Sequence, residues 1–295
     1  MLLGEHAVLR GEPAVVAAIT ARWVVRLRVR KDLRIRITSD FGHWEGDRQD
    51  LPMEGPLRWV AHAIAAVAGE DRGGFDLQVE TAWREPMGLG SSAAVTVAVL
   101  GALRRWSGEH DDRARLLEQA VKVIRTVQGV GSGADAAASV YGGVLEFTSE
   151  PLRVRPLARE LPLLLRYCGY KTPTIDVIRR VQQLATRLPE VMNPLFRLIG
   201  ELARGGARAI EDKDLPQLGR WMNAAQAAME ALGVSTPELD RMVREFRATE
   251  GIWGAKISGA GLGDCAIAVG TTHQEWPDLV KVRVEARGWA IKETR

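Results

Sequence analysis

The sequence predicts an α+β protein in two lobes, and three features of its pattern lead to this prediction. Apolar and polar residues alternate in several stretches of the first half, as in strands with one solvated face. Amphipathic helices dominate the second half. A last pair of strands, residues 255–258 and 265–269, flanks a glycine-rich loop. This order is typical of a two-lobed α+β fold, and we place the boundary between residues 152 and 153.

The first lobe, residues 1–152, is predicted to combine sheet and helix. Its strands are expected at residues 14–19, 23–30, 33–37, 75–80 and 140–147. Its helices are expected at residues 56–68, 91–105 and 112–128. The arginines that alternate between residues 26 and 36 are most simply the solvated face of a sheet. No aromatic side chains interleave with them to stack on nucleic-acid bases.

The second lobe, residues 153–295, begins with a predicted strand at residues 161–168. Its helices are expected at residues 174–188, 194–203, 215–232 and 236–248. After the closing strand pair, the pattern predicts a helix at residues 273–287 and a final strand at residues 289–292.

The composition excludes several classes of protein. The 295 residues are 46% hydrophobic and carry a net charge of +3, so the chain is neither disordered nor basic enough to indicate DNA binding. Its two cysteines, Cys168 and Cys265, do not form a disulfide framework. The longest nearly apolar stretch, residues 93–103, is too short to cross a bilayer. We therefore expect a cytoplasmic protein without a membrane or nucleic-acid partner.

The most specific motif is a glycine loop at residues 86–94 that leads directly into a helix. Glycines let backbone amides approach an anion, and the following helix start offers unpaired N–H groups and a positive dipole end. Ser91 and Ser92 add hydroxyls that can reach a phosphate oxygen or a magnesium ion. A serine-capped turn is the alternative. The loop matches neither the P-loop nor the dinucleotide-binding fingerprint.

A second glycine-rich segment, residues 129–133, precedes Asp135. The functional interpretation makes Asp135 the carboxylate that faces a substrate hydroxyl in phosphoryl transfer. The alternative makes it the N-cap of a helix. A third loop, at residues 258–264, has glycines at alternate positions between two strands and could also be a bulged hairpin.

Taken together, these motifs resemble those of the GHMP kinase superfamily, over nearly the whole chain. The first family motif appears at residues 4–11, the second at 88–94 and the third at 258–264, and the segment of the catalytic acid matches residues 132–135. The details are similar to the mevalonate kinases first and to the phosphomevalonate kinases second. The resemblance implies a GHMP kinase fold, with a mixed first lobe that carries the phosphate loop and catalytic aspartate, and a ferredoxin-like second lobe.

The resemblance also implies a function and a set of site residues. It implies an ATP- and Mg²⁺-dependent kinase that phosphorylates the primary hydroxyl of mevalonate, with Asp135 as the catalytic residue. The implied ATP-binding residues are Gly88, Leu89, Gly90, Ser91, Ser92 and Ala93. The residues implied to surround the substrate are His6, Thr174, Ser132 and Gly133. The residues implied to lie on the metal side are Ser92 and Glu5, and the glycines of the third loop are Gly259, Gly261 and Gly263.

The sequence departs from the family pattern in two places. In the family a Pro-Gly-Lys segment normally precedes the first motif, and this sequence starts after that point. Whether its codons lie upstream of Met1 is left open, and we expect low activity for the 295 residues without it. The magnesium-binding glutamate of mevalonate kinases corresponds to Ile124, and nothing in the spacing makes the nearby Glu118 its substitute. Arg10 and Lys171 are the cations that could meet the substrate carboxylate.

Three alternatives remain open at this point. The chain could act on phosphomevalonate, or it could be a GHMP-fold regulator that binds a ligand without chemistry. A nucleic-acid module has only the arginine stretch in its favour. A homodimer is compatible with any of these.

Overall fold

A computed structural model describes residues 1–67, 73–81, 89–109, 111–280 and 282–292. The chain packs as two units that interleave in sequence. The first contains Met1–Thr20 and Gly142–Ala286, and the second contains Ala21–Glu85 and Gly90–Tyr141 with the C-terminal residues from Arg287. These units are defined by packing, and neither ends at the boundary that we predict between residues 152 and 153.

The first unit contains two antiparallel sheets. One has three strands in the order β1-β6-β7, and the other has four in the order β11-β8-β10-β9. Their bounds are β1 Ala14–Ala17, β6 Val144–Ser149, β7 Leu152–Ala158, β8 Leu163–Tyr167, β9 Ile252–Ser258, β10 Cys265–Gly270 and β11 Leu279–Val280. Strand β10 is central and fully buried, so it is apolar on both faces.

Four helices pack in the same unit, namely α5 Thr174–Arg187, α6 Pro189–Glu211, α7 Leu215–Ala231 and α8 Pro237–Arg247. Their apolar faces form a core with β9 and β10 that includes Phe196, Met229 and Phe246. Burial of these large side chains is the main stabilising contribution, at roughly 1.5–3 kcal/mol for each. Among the described residues, no helix combines the length and apolarity that a membrane crossing requires.

The second unit has one four-stranded sheet in the order β2-β5-β3-β4, in which β3 and β5 run parallel. Its elements are β2 Trp23–Val29, β3 Ile35–Ser39, β4 Gly42–Gly46, β5 Phe75–Thr81, α1 Arg58–Ala65, α2 Ser91–Trp106, α3 Arg113–Gln128 and α4 Ala134–Tyr141. The arginines of β2 and β3 lie on the solvated face of this sheet, as the sequence predicts. There Arg26 donates a hydrogen bond to Glu80 and Arg36 donates one to Glu45. These carboxylates neutralise much of the arginine stripe, which argues against nucleic-acid binding.

Several predicted elements are wrong. The predicted strand at 140–147 is instead the end of α4 followed by β6, because Gly142 and Gly143 both adopt positive φ and break the chain direction. Where a helix is predicted at 273–287, the described residues contain the short strand β11 and no helix, and residues 289–292 form no strand. Trp289 packs its indole against Gly101 of α2.

Two further differences concern prolines and a short hairpin. Helix α6 is 23 residues long, whereas the sequence predicts ten, because Pro189 occupies the first turn and Pro194 is accommodated inside the helix. The polar strand β4 has no apolar alternation that would have predicted it. Helix α1 covers only part of the predicted span, and Ala68 lies outside the described residues.

Candidate active site

The glycine loop at residues 86–94 is described from Leu89 onward, and α2 begins within it at Ser91. Gly90 is the N-cap residue of this helix and has φ of 76°. Because glycine has no side chain, the first amides of α2 receive no side-chain cap from it. Ser91 is exposed, Ser92 is half-buried and Ala93 is buried. The start of α2 therefore has the geometry of an anion site.

Asp135 lies beside this helix start. It is the second residue of α4, so it is inside the first turn and the N-cap interpretation does not hold. A Cβ placed on Gly90 would lie 3.2 Å from both Cβ and Cγ of Asp135. Asp135 is exposed, and its backbone carbonyl accepts a hydrogen bond from Ser139 Oγ. The structure thus places a solvent-facing carboxylate next to the amides of α2.

The glycine segment before Asp135 positions the first turn of α4. Ser132 Oγ accepts a hydrogen bond from the Ala134 N–H at 3.2 Å, and Gly133 has φ of 89°. Ile124, at the position of the family's magnesium glutamate, is buried in the last turns of α3. A Cβ placed on Gly131 would lie 2.8 Å from Cγ2 of Ile124. Ile124 therefore packs under the glycine segment.

The first family motif lies in the other unit. His6 has φ of 61° and ψ of −44°, and the Ala7 N–H donates to the Glu5 carbonyl at 2.7 Å. This is a γ-turn with positive φ, a strained conformation for a residue with a side chain. His6 Nε2 bonds to the Ala260 carbonyl of the third loop at 2.8 Å. Burial lowers the pKa of His6, although this hydrogen bond and the Glu5 carboxylate oppose the shift.

Glu5 and Lys256 form a buried ion pair. Lys256 Nζ donates to Glu5 Oε1 at 2.5 Å and also to the backbone carbonyl of Ile257. The side chain of Lys256 is 0% exposed and that of Glu5 is 3% exposed. Burial lowers the pKa of Lys256, and the neighbouring carboxylate opposes this shift. This ion pair occupies the Glu5 carboxylate, which differs from the metal contact that the resemblance implies for Glu5.

The third loop is held in an unusual backbone conformation. Gly259, Gly261 and Gly263 have φ of 93°, 88° and 136°. A Cβ on Gly261 would lie 2.8 Å from Cβ of Val234, the residue whose carbonyl accepts the Leu262 N–H at 2.7 Å. Only glycine allows this approach at positive φ, so the fold of the loop itself requires Gly261.

The loop is also anchored to the segment before α5. The Asp264 N–H donates to the Tyr170 carbonyl at 2.9 Å, and Thr172 Oγ1 donates to the Leu262 carbonyl. Lys171 Nζ lies 4.0 Å from Asp264 Oδ1. Thr174, predicted near the substrate, is the half-buried first residue of α5. The structure thus joins the third loop to the threonine segment.

The two cations suggested for a substrate carboxylate have different surroundings. The guanidinium of Arg10 lies 4.3 Å from the centre of the Phe196 ring, whereas Lys171 faces the Asp264 carboxylate. Gly88, predicted to bind ATP, lies outside the described residues. Leu89 is described and is half-buried at the end of the loop.

Sequence reasoning missed the role of two amides on α7. Strand β9 is at the edge of its sheet, and α7 supplies acceptors to it. Asn223 Oδ1 accepts the Ala255 N–H at 3.0 Å, and buried Gln226 Oε1 accepts the Ile257 N–H at 2.8 Å. The spacing of three residues on one helical face was the available signal. These amides hold the strand that carries Lys256.

Comparison with known proteins identifies the family. Family models for the GHMP kinases N terminal domain and the GHMP kinases C terminal match residues 57–143 and 207–279. The chain is 32% identical to the mevalonate kinase of Pyrococcus horikoshii, over 99% of this chain and 95% of that protein. The chain belongs to the GHMP kinase family.

Solved structures agree with this assignment at the level of the fold. The mevalonate kinase of L. major in complex with R-mevalonate has a TM-score of 0.78 at 22% identity, with 96% of this chain and 93% of that chain covered. The phosphomevalonate kinase of Streptococcus pneumoniae in complex with phosphomevalonate and AMPPNP has a TM-score of 0.77 at 20% identity, with 91% and 89% covered. Because the two scores are nearly equal, the fold does not distinguish the two substrates.

Proposed function

We propose that this member of the GHMP kinase family transfers the γ-phosphoryl group of ATP to the primary hydroxyl of mevalonate. The observation that carries the chemistry is the position of Asp135 beside Gly90, at the N-terminus of α2. The choice of mevalonate is supported by the 32% identity to a mevalonate kinase over nearly the full length of both chains.

Each group near this helix start has a task in the proposed reaction. The amides of Ser91 and Ser92 bind the phosphates, since phosphoryl transfer depends mainly on positioning and on stabilisation of negative charge. The Asp135 carboxylate orients the acceptor hydroxyl and takes up its proton as the hydroxyl oxygen bonds to the γ-phosphorus and the β,γ-bridging oxygen leaves with ADP. His6 and Thr174 remain predicted substrate contacts on the strength of the family resemblance.

The residues at the helix start also fit a magnesium ion. Mg²⁺ is commonly bound through one or two carboxylates together with substrate phosphates, and no larger protein cage is needed. The Ser92 hydroxyl would supply a protein oxygen, and phosphate oxygens and water would fill the remaining positions. In the part of the chain that the structure describes, no three histidine, cysteine or carboxylate side chains form a ready-made metal cluster. When bound, the ion would neutralise charge on the transferred phosphoryl group.

A coupled ADP-release assay tests the substrate. With Mg-ATP, kcat/KM should be far higher for mevalonate than for 5-phosphomevalonate. A higher value for the phosphorylated substrate would replace mevalonate by phosphomevalonate, and no turnover of either would favour the ligand-binding regulator.

The catalytic assignment needs its own variant. Asp135→Asn keeps the shape of the side chain and removes its charge, so ATP binding should survive while kcat falls by about 10²–10⁴. Ser139→Ala is the matched control, since it alters the same helix but removes only a bond to the Asp135 backbone. Full turnover by Asp135→Asn would contradict the assignment.

A further inference from the structure

The C-terminal tail packs against the two helices that carry the proposed reaction. Residues from Arg287 onward belong to the second unit, together with α2 and α4. Helix α2 starts at the anion site, and α4 carries Asp135 in its first turn. Residues 287–292 form neither helix nor strand, so their contacts with these helices decide where the tail lies.

The first contact seats Trp289 on α2. Gly101 lies in the interior of α2, where glycine destabilises a helix relative to alanine. A Cβ placed on Gly101 would lie 2.0 Å from Nε1 and 2.4 Å from Cε2 of the Trp289 indole. The ring therefore occupies the space that a larger residue at this position would need, and Gly101 forms its seat.

The second contact joins the tail to the end of α4. The Trp289 N–H donates to the Ser139 carbonyl at 2.7 Å and to the Val140 carbonyl at 3.2 Å. Both carbonyls belong to the last turn of the helix, where intrahelical donors run out. A Cβ placed on Gly288 would lie 2.3 Å from the Val140 oxygen, so the tail approaches this helix end as closely as glycine permits.

Helix α4 depends on such contacts because it has only eight residues. A helix of this length is marginal by itself, so packing decides its position. Its buried side chains are four alanines and one valine, which offer little apolar area to hold the helix in place. Trp289 contacts α2 with its ring and α4 with its backbone N–H, and thereby fixes one helix against the other.

We propose that Trp289 is a positioning residue for phosphoryl transfer, which keeps the Asp135 carboxylate beside the first amides of α2. The inference rests on the proposed function, since Trp289 acts through Asp135. Gly101 lies about 15 Å along α2 from Ser91, so the indole acts through the helices and not on the substrate. A misplacement of about 1 Å at a reacting group can lower the rate about 10²-fold.

Steady-state kinetics with Mg-ATP and mevalonate, at a temperature where every variant is folded, test the proposal. Trp289→Ala should lower kcat by about 10- to 100-fold and change KM for ATP by less than about twofold, because the start of α2 is built locally. Trp289→Phe keeps an aromatic ring and the backbone N–H, so kcat should stay within about threefold of the wild type. Trp253→Ala is the matched control, since Trp253 is 48% exposed in the other unit, and it should leave kcat unchanged.

An Asp135→Ala background separates positioning from stability. Once the carboxylate is absent, Trp289→Ala should lower the remaining kcat by less than about twofold. A loss of folded protein would instead lower kcat by the same factor in both backgrounds, and that result would overturn the proposal.

Gly101→Ala disturbs the same contact from the side of α2. Alanine favours the helix, yet its Cβ would displace the indole, so kcat should fall by a factor similar to that of Trp289→Ala. The double variant Gly101→Ala/Trp289→Ala should be no slower than Trp289→Ala alone, because the displaced ring is absent. Losses that multiply in the double variant would show that the two residues act independently and would overturn the seat.

Hydrogen exchange of α4 gives a readout that does not depend on turnover. In Trp289→Ala the amides of residues 136–141 should exchange at least about tenfold faster than in the wild type, whereas those of α1, in the same unit, should not change. Unchanged exchange in α4 would overturn the proposal, even where turnover is too slow to compare.

The kinetic results also distinguish this proposal from the proposed function. Wild-type turnover by Asp135→Ala would refute the catalytic assignment itself. Wild-type turnover by Trp289→Ala, beside an inactive Asp135→Ala, would refute only the positioning role of Trp289.

Discussion

The buried pair of Glu5 and Lys256 provides the sharpest test of how the first and third motifs are held together. Lys256→Met keeps an unbranched apolar side chain of similar length and removes the ammonium. The Glu5 carboxylate then remains only 3% exposed without its counter-ion, 2.5 Å from where the ammonium had been. Removal of one partner from a buried pair typically costs 3–5 kcal/mol, so we expect a loss of about 4 kcal/mol in the free energy of unfolding.

The measurement is urea unfolding followed by tryptophan fluorescence and far-UV circular dichroism. Glu5→Gln and the double variant Lys256→Met/Glu5→Gln complete a double-mutant cycle, and the double variant should be less destabilised than the sum of the two single variants by about 1–3 kcal/mol. Lys122→Met is the control, since Lys122 is exposed and its replacement should change stability by less than about 0.5 kcal/mol.

Two results would refute this reasoning. A Lys256→Met variant within about 1 kcal/mol of the wild type would mean that the carboxylate finds water or another donor. A coupling energy near zero would mean that the two side chains do not interact, whatever their distance.

Three further predictions follow from other contacts. Gly90→Ala should lower kcat at least about tenfold, because the added Cβ would press on Asp135. Gly129→Ala is the control, since Gly129 also has a positive φ but has nothing within 4 Å of its Cβ position, and it should leave kcat unchanged. Equal kcat values for the two variants would contradict this prediction. Gln226→Leu should cost about 2 kcal/mol in urea unfolding, because a buried N–H of β9 loses its acceptor, and an unchanged midpoint would argue otherwise. Burial lowers the pKa of His6, so the stabilising contribution of the neutral imidazole is complete above the unfolded pKa of about 6.5 and is lost as pH falls. Relative to His6→Asn, the stability of the wild type should therefore decline between about pH 7.5 and 5. Parallel pH profiles of the two proteins would exclude the effect.

Sequence patterns predicted the local structure where local forces dominate. Helices α5, α7 and α8 begin and end within a residue or two of their predicted limits, because apolar periodicity and the turn signals that flank it agree there. The predictions were wrong where a local signal was outweighed. Pro194 would ordinarily end a helix, yet α6 continues through it, because Met192 and Phe196 on either side are buried in the core. The predicted helix at 273–287 shows the converse, since Leu279 and Val280 pair with β8 as a short strand instead.

The sequence by itself determined the glycine loops, the position of Asp135 four residues after Gly131 and the family to which these motifs belong. Glycine at positive φ and amides at a helix start are properties of a short segment, so they can be read from it. Only the tertiary structure decided that Glu5 meets Lys256, 251 residues away, and that Ile124 lies under the glycine segment. Such contacts depend on which surfaces exclude water together, and no local pattern contains that information.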